Sequence, residues 1–165
     1  MRLTAQRILS IHLHDERPAD QRSALPAALA FWEGMDLDLT GATLIDFNLA
    51  GGHVTDAILN KATFTGDARF NKVAFTGIAM FRRAAFSGEA FFNEATFTED
   101  AWFSEATFTE DAWFNGATFT AAARFGEATF TKDASFRGAR MAAHVWPDGW
   151  RLETASEEDG RLIRE

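Results

Sequence analysis

The chain contains no cysteine, only four histidines and three prolines, and fewer basic than acidic residues: 16 Lys and Arg stand against 24 Asp and Glu. Without cysteine there is no disulfide framework and no thiolate zinc site. The net charge of −8 disfavours direct binding of nucleic acid. No apolar run approaches the roughly 18 residues that cross a bilayer, so no membrane contact is expected.

The residues that carry catalysis are also sparse. His12, His14, His53 and His144 are scattered, and the first two point apart on a helix, which does not suit one metal ion. There is no glycine-rich phosphate loop, no nucleophile elbow and no carboxylate pair in a cleft. The sequence therefore predicts no catalytic residue, no cofactor and no metal ligand, and we expect that the protein is not an enzyme.

The compartment is inferred from two further absences. Residues 1–7 lack the uninterrupted apolar stretch of a signal peptide. The lack of cysteine fits a reducing environment. We therefore expect a cytoplasmic protein. A length of 165 residues predicts one domain, and the alternative that this domain comes from a longer protein stays open.

The chain is rich in one feature, a strict phenylalanine repeat. Steps of six and five residues alternate, so the period is 11, and Ala stands two residues before each Phe except at Val73. A fixed period of this kind is typical of repeat architectures. The repeated residues are Phe64, Phe70, Phe75, Phe81, Phe86, Phe92, Phe97, Phe103, Phe108, Phe114, Phe119, Phe125, Phe130 and Phe136.

A five-residue spacing leads into this repeat from Leu39 through Leu44, Leu49, Val54 and Leu59. Side chains alternate along an extended segment, so residue i and the Ala at i−2 face one interior while the residues between them face out. Turn-forming residues follow every short extended piece, and four turns return the chain upon itself. The pattern predicts an all-β solenoid whose stacked coils place Phe on Phe.

This pattern resembles the pentapeptide-repeat family, most closely in residues 39–44 (Leu-Thr-Gly-Ala-Thr-Leu) and in the Phe units such as residues 95–105. The resemblance implies a right-handed quadrilateral β-helix of about five coils. Four units make a coil of about 20 residues at the start and of about 22 residues later, a period typical of solenoids. A flatter solenoid, in which one period of the Phe repeat makes a whole coil, remains the alternative.

Three regions are expected on this basis: an N-terminal helical cap (1–34), the β-helix (35–146), and a C-terminal cap and tail (147–165). The cap is predicted to hold short helices from Thr4 to about His14 and from Ser23 to Gly34. The charged residues 153–165 are expected to fray. Four aromatic residues are expected to be largely buried on the end coils: Phe31, Trp32, Trp146 and Trp150.

A 22-residue coil places outward residues in columns. One corner carries an acid on every coil, at Asp67, Glu89, Asp111 and Asp133. One face carries Phe91 and Trp113, and the opposite face carries Trp102. Exposed aromatic residues are frequent anchors for partners. The three aromatic residues and the four acids together form the candidate interaction surface.

The resemblance implies a protein-binding or scaffold role with an unknown protein partner. Some members of the family imitate DNA and bind or protect DNA gyrase, and residues 84–123 contain seven acids and no Lys or Arg. The alternative function is therefore an acidic DNA mimic. We favour the view that acids keep the solenoid corners solvated, since five coils give a rod only about 25 Å long. A homodimer is left open, and outward threonine pairs leave ice binding as a remote third alternative.

Overall fold

The computed structural model describes residues 3–14, 17, 21, 31–153 and 160–164. These residues form one helix, α1 (Leu3–His12), and a series of short strands. No helix among them is long and apolar enough to cross a membrane. The strands are β1 (Leu37–Asp38), β2 (Thr43–Ile45), β3 (His53–Val54), β4 (Ala57–Ile58), β5 (Thr63–Thr65), β6 (Ala68–Arg69), β7 (Ala74–Phe75), β8 (Ala79–Met80), β9 (Ala85–Phe86), β10 (Ala90–Phe91), β11 (Thr96–Phe97), β12 (Ala101–Trp102), β13 (Thr107–Phe108), β14 (Ala112–Trp113), β15 (Thr118–Arg124), β16 (Thr129–Phe130), β17 (Ala134–Ser135), β18 (Arg140–Val145), β19 (Trp150–Glu153) and β20 (Arg161–Arg164).

These strands form a β-solenoid of about five coils, which confirms the predicted fold. The coils have four faces, and most coils contribute one short parallel strand to each of them; the first coil contributes only an isolated bridge, Asn48 to Arg69, to one face. Face 1 contains β1, β4, β8 and β12, and face 2 contains β2, β5, β9, β13 and β16. Face 3 contains β6, β10, β14 and β17, and face 4 contains β3, β7 and β11. The long strand β15 continues face 4 and face 1, which joins these two faces in one sheet.

The register confirms the predicted coil lengths. Thr43 pairs with Thr63 in the first coil, and Ala90 pairs with Ala112 in a later one. Trp113 pairs with Phe91 and Ser135 on face 3, whereas Trp102 lies on face 1. The alternative in which one repeat period makes a whole coil is therefore wrong, since it would make the two tryptophans neighbours. The six-residue steps fall at the corners between faces 2 and 3 and between faces 4 and 1.

The interior is filled by the phenylalanine repeat. All fourteen Phe side chains are buried, and rings one coil apart stack in parallel with centroids 4.6–4.9 Å apart. Rings of faces 1 and 3 meet edge to face across the core, for example Phe92 and Phe103 at 5.4 Å. Both arrangements suit the quadrupole of an aromatic ring. The Ala residues at i−2 leave room for these rings at each turn of the chain.

The N-terminal segment covers the first coil. The side-chain amide of Gln6 in α1 pairs with the backbone of Ile45, accepting from its N–H at 3.0 Å and donating to its carbonyl at 2.7 Å. Leu13 is buried, and its carbonyl accepts a hydrogen bond from the N–H of His53 at 2.6 Å. The cap thus supplies the backbone partners that a preceding coil would have supplied, which protects the strand edge.

The C-terminal segment covers the last coil with a different device. Strand β18 adds in parallel to β15, and β19 and β20 form an antiparallel hairpin whose second strand pairs with β17 on face 3. Leu162 of β20 is buried. The ring of Trp146 lies 5.2 Å from that of Phe125 and closes one Phe stack. The open end of the solenoid is therefore covered by apolar side chains and by paired backbone.

Several expectations for the ends need correction. Helix α1 begins at Leu3 and ends at His12, whereas a helix from Thr4 to about His14 was predicted. Trp32 is not largely buried: it is 40% exposed and stacks on His12 at 4.2 Å because it lies at the rim of the cap. Phe31 is buried as predicted, while Trp146 and Trp150 are half-buried.

Two further expectations concern other terminal segments of the chain. The expected fraying is wrong for residues 160–164, since β20 is hydrogen-bonded to two strands. Most of the second predicted helix, residues 23–34, falls outside the described residues.

Candidate interaction surface

The four acids of the predicted column lie at the corner between faces 2 and 3. Asp67 accepts a hydrogen bond from the N–H of Glu89 at 3.3 Å, and Asp111 accepts from the N–H of Asp133 at 3.2 Å. Asp67 also binds the guanidinium of Arg69 at 2.7 Å. Asp133 forms an ion pair with Arg161 in the C-terminal hairpin. Asp67 and Asp111 thus join one coil to the next, and Asp67 and Asp133 each form an ion pair with an arginine.

Face 3 adjoins this corner and presents Phe91 and Trp113. Their strands pair directly, so the two half-buried side chains lie side by side on the outside of the rod. Arg69 lies over Phe91, with its guanidinium carbon 5.8 Å from the ring centroid, and Ser135 follows Trp113. The indole nitrogen of Trp113 is buried and has no hydrogen-bond partner in the described part of the chain. The acid corner and face 3 therefore form one continuous surface.

Trp102 lies apart from the other six candidate residues, on face 1. Its ring is covered by Arg124 at 4.4 Å and by Arg82 at 5.8 Å, both measured from the guanidinium carbon to the ring centroid. Arg124 also binds Asp100 at 3.2 Å. The ring is thus engaged by two cations of its own chain. The structure brings Phe91 and Trp113 together and separates both from Trp102.

The sequence interpretation did not identify the hydrogen bonds that run up the corners. Asn93 accepts from the N–H of Asn115 at 3.0 Å, and Asn115 accepts from the N–H of Arg137 at 3.0 Å. The residue after each such Asn occupies the left-handed region, as in Glu94 with φ 57° and Gly116 with φ 66°. The signal was present in the sequence, because Asn71, Asn93 and Asn115 recur once per coil at a constant spacing.

Ion pairs between successive coils perturb several exposed groups. The hydrogen bond between Arg83 and Glu105, at 2.6 Å, raises the pKa of Arg83 and lowers the pKa of Glu105. The hydrogen bond from Lys132 to Glu110 raises the pKa of Lys132. Four of the seven acids in residues 84–123 thus form an ion pair with a cation about one coil away: Glu94, Asp100, Glu105 and Glu110.

Two surface grooves are lined by residues that the structure describes. One groove of about 420 Å³ lies beside α1 and is lined by Gln6, Arg7, Ser10, Asp46 and Asn48. A second, of about 250 Å³, lies at the corner between faces 1 and 2 and is lined by Asn60, Lys61, Arg82 and Arg83. No group of three or more metal-ligating side chains occurs in the part of the chain that the structure describes.

Comparison with known proteins points to the family that the repeat resembles. The family model for pentapeptide repeats (9 copies) matches residues 70–118 and 114–156, which together make up just over half of the chain. Searches of curated proteins and of solved structures gave no significant match. The matched region includes the middle and last coils of the solenoid, where the Phe stacks and the 22-residue register are most regular. The chain therefore belongs to the pentapeptide-repeat family.

Proposed function

We propose that this protein is a non-enzymatic interaction or scaffold module that binds a protein partner through face 3. The observation that supports this is the pair formed by Phe91 and Trp113, which lie one strand spacing apart on the outside of a rigid rod. Aromatic side chains on a flat, preorganised surface lose little entropy on binding and often dominate interfaces. The neighbouring Asp67, Glu89 and Asp111 would form a polar rim around them.

The indole N–H of Trp113 adds a second argument for this face. A buried donor without an acceptor is costly, and such groups are rare enough to require an explanation. A partner that turned the ring outward and supplied an acceptor would remove that cost. We therefore assign to Trp113 the role of central anchor.

The architecture favours a binding role over catalysis. The interior of the described coils is filled by buried Phe rings, whereas substrate sites are usually concave pockets. The proposed compartment is the cytoplasm, where a protein without cysteine needs no oxidative folding. A second copy of the chain is one of the partners that face 3 could bind.

DNA gyrase is the alternative partner, and the acid corner is the reason to test it. A DNA mimic needs free negative charge at phosphate-like positions, but Asp67 is bound by Arg69, and Asp133 by Arg161. This pairing favours a scaffold over a mimic. Supercoiling by gyrase should be unchanged by the protein at micromolar concentration and at several salt concentrations. Inhibition that is lost after E89K and D111K would reverse this preference.

The proposed face is tested by a matched pair of tryptophan variants. A pull-down from the native host should capture a partner with the unsubstituted protein and with Trp102→Ala, which alters the opposite face. Capture should fall at least tenfold with Trp113→Ala or Phe91→Ala, as expected for anchor residues. Equal capture by all three variants would exclude face 3, and sedimentation of the purified protein would show whether the partner is a second copy.

A further inference from the structure

A cluster of basic side chains surrounds the groove at the corner between faces 1 and 2. Lys61 lies on one coil, and Arg82 and Arg83 lie on the next, since the register places Arg83 directly above Lys61. The backbone there is fixed, because the N–H of Lys61 donates to the carbonyl of Arg82 at 2.8 Å. Asn60 holds the same turn by accepting from the N–H of Arg82 at 3.1 Å. The groove of about 250 Å³ is thus lined by three cations and one amide.

The charge around the groove is opposite to that of its neighbours along the rod. Residues 57–83 contain five basic residues and one acid, whereas residues 31–56 contain five acids, and residues 84–123 seven, with no Lys or Arg in either segment. The basic residues of this band are Lys61, Arg69, Lys72, Arg82 and Arg83. A positive site between two acidic bands on a protein of net charge −8 is not explained by solubility.

Most of the charged donors in the groove have no partner among the residues that the structure describes. Within the described residues, no carboxylate lies within ion-pair distance of Lys61 or Arg82. Arg82 rests over the ring of Trp102 at 5.8 Å, which supports its guanidinium without using an N–H donor. Arg83 uses its Nε on Glu105 at 2.6 Å, and its two terminal nitrogens have no hydrogen-bond partner in the part of the chain that the structure describes.

We propose that this groove is a binding site for a phosphate group, specifically the dianion of a phosphate monoester. Glu105 and the more distant Glu127 offset only part of the three positive charges, and the remaining positive charge favours a phosphate group, which carries about −1.5 to −2 at neutral pH. The planar fork of arginine also fits phosphate oxygens in a bidentate manner. A phosphate monoester presents three acceptor oxygens to the three cations, whereas a carboxylate presents only two. The site is independent of the proposed function, because Phe91 and Trp113 lie on face 3.

The test follows backbone amide shifts by NMR during titration of the whole chain. The probes are inorganic phosphate, a short peptide containing O-phosphoserine, and the same peptide without phosphate, with chloride at matched ionic strength as reference. We expect saturable shifts at Asn60, Lys61, Arg82 and Arg83 with both phosphate probes and none with the other two. Tighter binding of the phosphopeptide would assign the ligand to a phosphorylated protein, and equal binding to a small phosphate; either result supports the site.

A matched pair of double variants tests the assignment. K61Q/R82Q should weaken phosphate binding at least tenfold, whereas R69Q/K72Q, with the same charge change, should stay within twofold of the unsubstituted protein. The control is matched in part, because Arg69 lies 5.8 Å over Phe91 as Arg82 lies over Trp102, and Lys72 shares the left-handed turn position of Lys61. Unlike the tested pair, Arg69 and Lys72 form ion pairs, with Asp67 and Glu94. Equal weakening by both, or shifts that grow linearly with phosphate or appear equally with chloride, would overturn the proposal. The titration of the unsubstituted protein decides the matter even if a variant does not fold.

Discussion

The strands of the middle coils and the strands at the two ends of this protein find their hydrogen-bond partners by different means. In the middle, every strand pairs with a near-copy of itself one coil away, as Thr96 does with Thr118. At the ends no further copy exists, and unique structures replace it: the side chain of Gln6 at one end and an antiparallel hairpin at the other. The comparison indicates that a repeat specifies its interior by itself, whereas its boundaries depend on sequence that occurs only once.

The largest expected effect comes from removing an end. Deletion of residues 146–165 removes Trp146 and β20, and thereby exposes the last Phe rings and the edge of β17. Exposed strand edges and apolar patches promote association, so we expect aggregation rather than a shorter rod. Light scattering during purification gives the measurement. A well-behaved truncated monomer would show that the middle coils need no cap.

A single core substitution in the middle should follow in size. Phe103 is fully buried and stacks on rings in the coils before and after it. Phe103→Ala should lower the free energy of unfolding by about 3–5 kcal/mol, because the surrounding coils cannot collapse onto the cavity. Trp150→Ala is the control at the end, where the half-buried ring should contribute less. A loss below about 1 kcal/mol in urea for Phe103→Ala would contradict the inward assignment.

The N-terminal cap should depend on one amide side chain. Gln6→Ala leaves the N–H and carbonyl of Ile45 without their partner, which should cost about 1–3 kcal/mol. Arg7→Ala, at the next and exposed position of α1, should change little. Hydrogen exchange at the Ile45 amide measures the local effect. If protection there is the same in both variants, the pairing is not what holds the helix on the first coil.

The corner hydrogen bonds should contribute less than the core. Asn93→Ala removes the acceptor for the N–H of Asn115 and should cost about 0.5–1.5 kcal/mol in urea unfolding. Thr98→Ala, an exposed change on the same coil, is the reference. Equal midpoints for the two variants would mean that water replaces the side chain at no cost.

The smallest expected effect is the pH dependence of the ion pair between Arg83 and Glu105. Its hydrogen bond lowers the pKa of Glu105, so its contribution is present above the ordinary value of 4.5 and is lost as the pH falls through the folded value. The stability difference between the unsubstituted protein and Glu105→Gln should therefore shrink on going from neutral pH to about pH 3. A difference that stays constant over that range would refute the role of the charge.

The sequence was sufficient to predict the solenoid fold and the face on which each outward residue of the repeat lies. The spacing of Phe91 and Trp113 gave their adjacency on one face and the separation of Trp102 from both, because the register is fixed by the buried column. It did not predict Gln6 as a backbone partner, the hairpin of β19 and β20, or the exposure of Trp32, since each depends on packing that occurs once. The groove was not predicted for another reason: the column that contains Lys61 and Arg83 continues with Glu105, so it does not keep one charge along the rod.

The central claim is the 22-residue register, because face 3 and the basic groove both depend on it. The chain has no cysteine, so two introduced cysteines can form a disulfide only with each other within one molecule, and its formation shows whether the two positions are close. In F91C/W113C the two positions pair on adjacent strands, at a spacing of about 4.8 Å that allows a disulfide. Mild oxidation should cross-link F91C/W113C within the monomer and leave W102C/W113C reduced. Cross-linking of W102C/W113C in place of F91C/W113C would contradict the account.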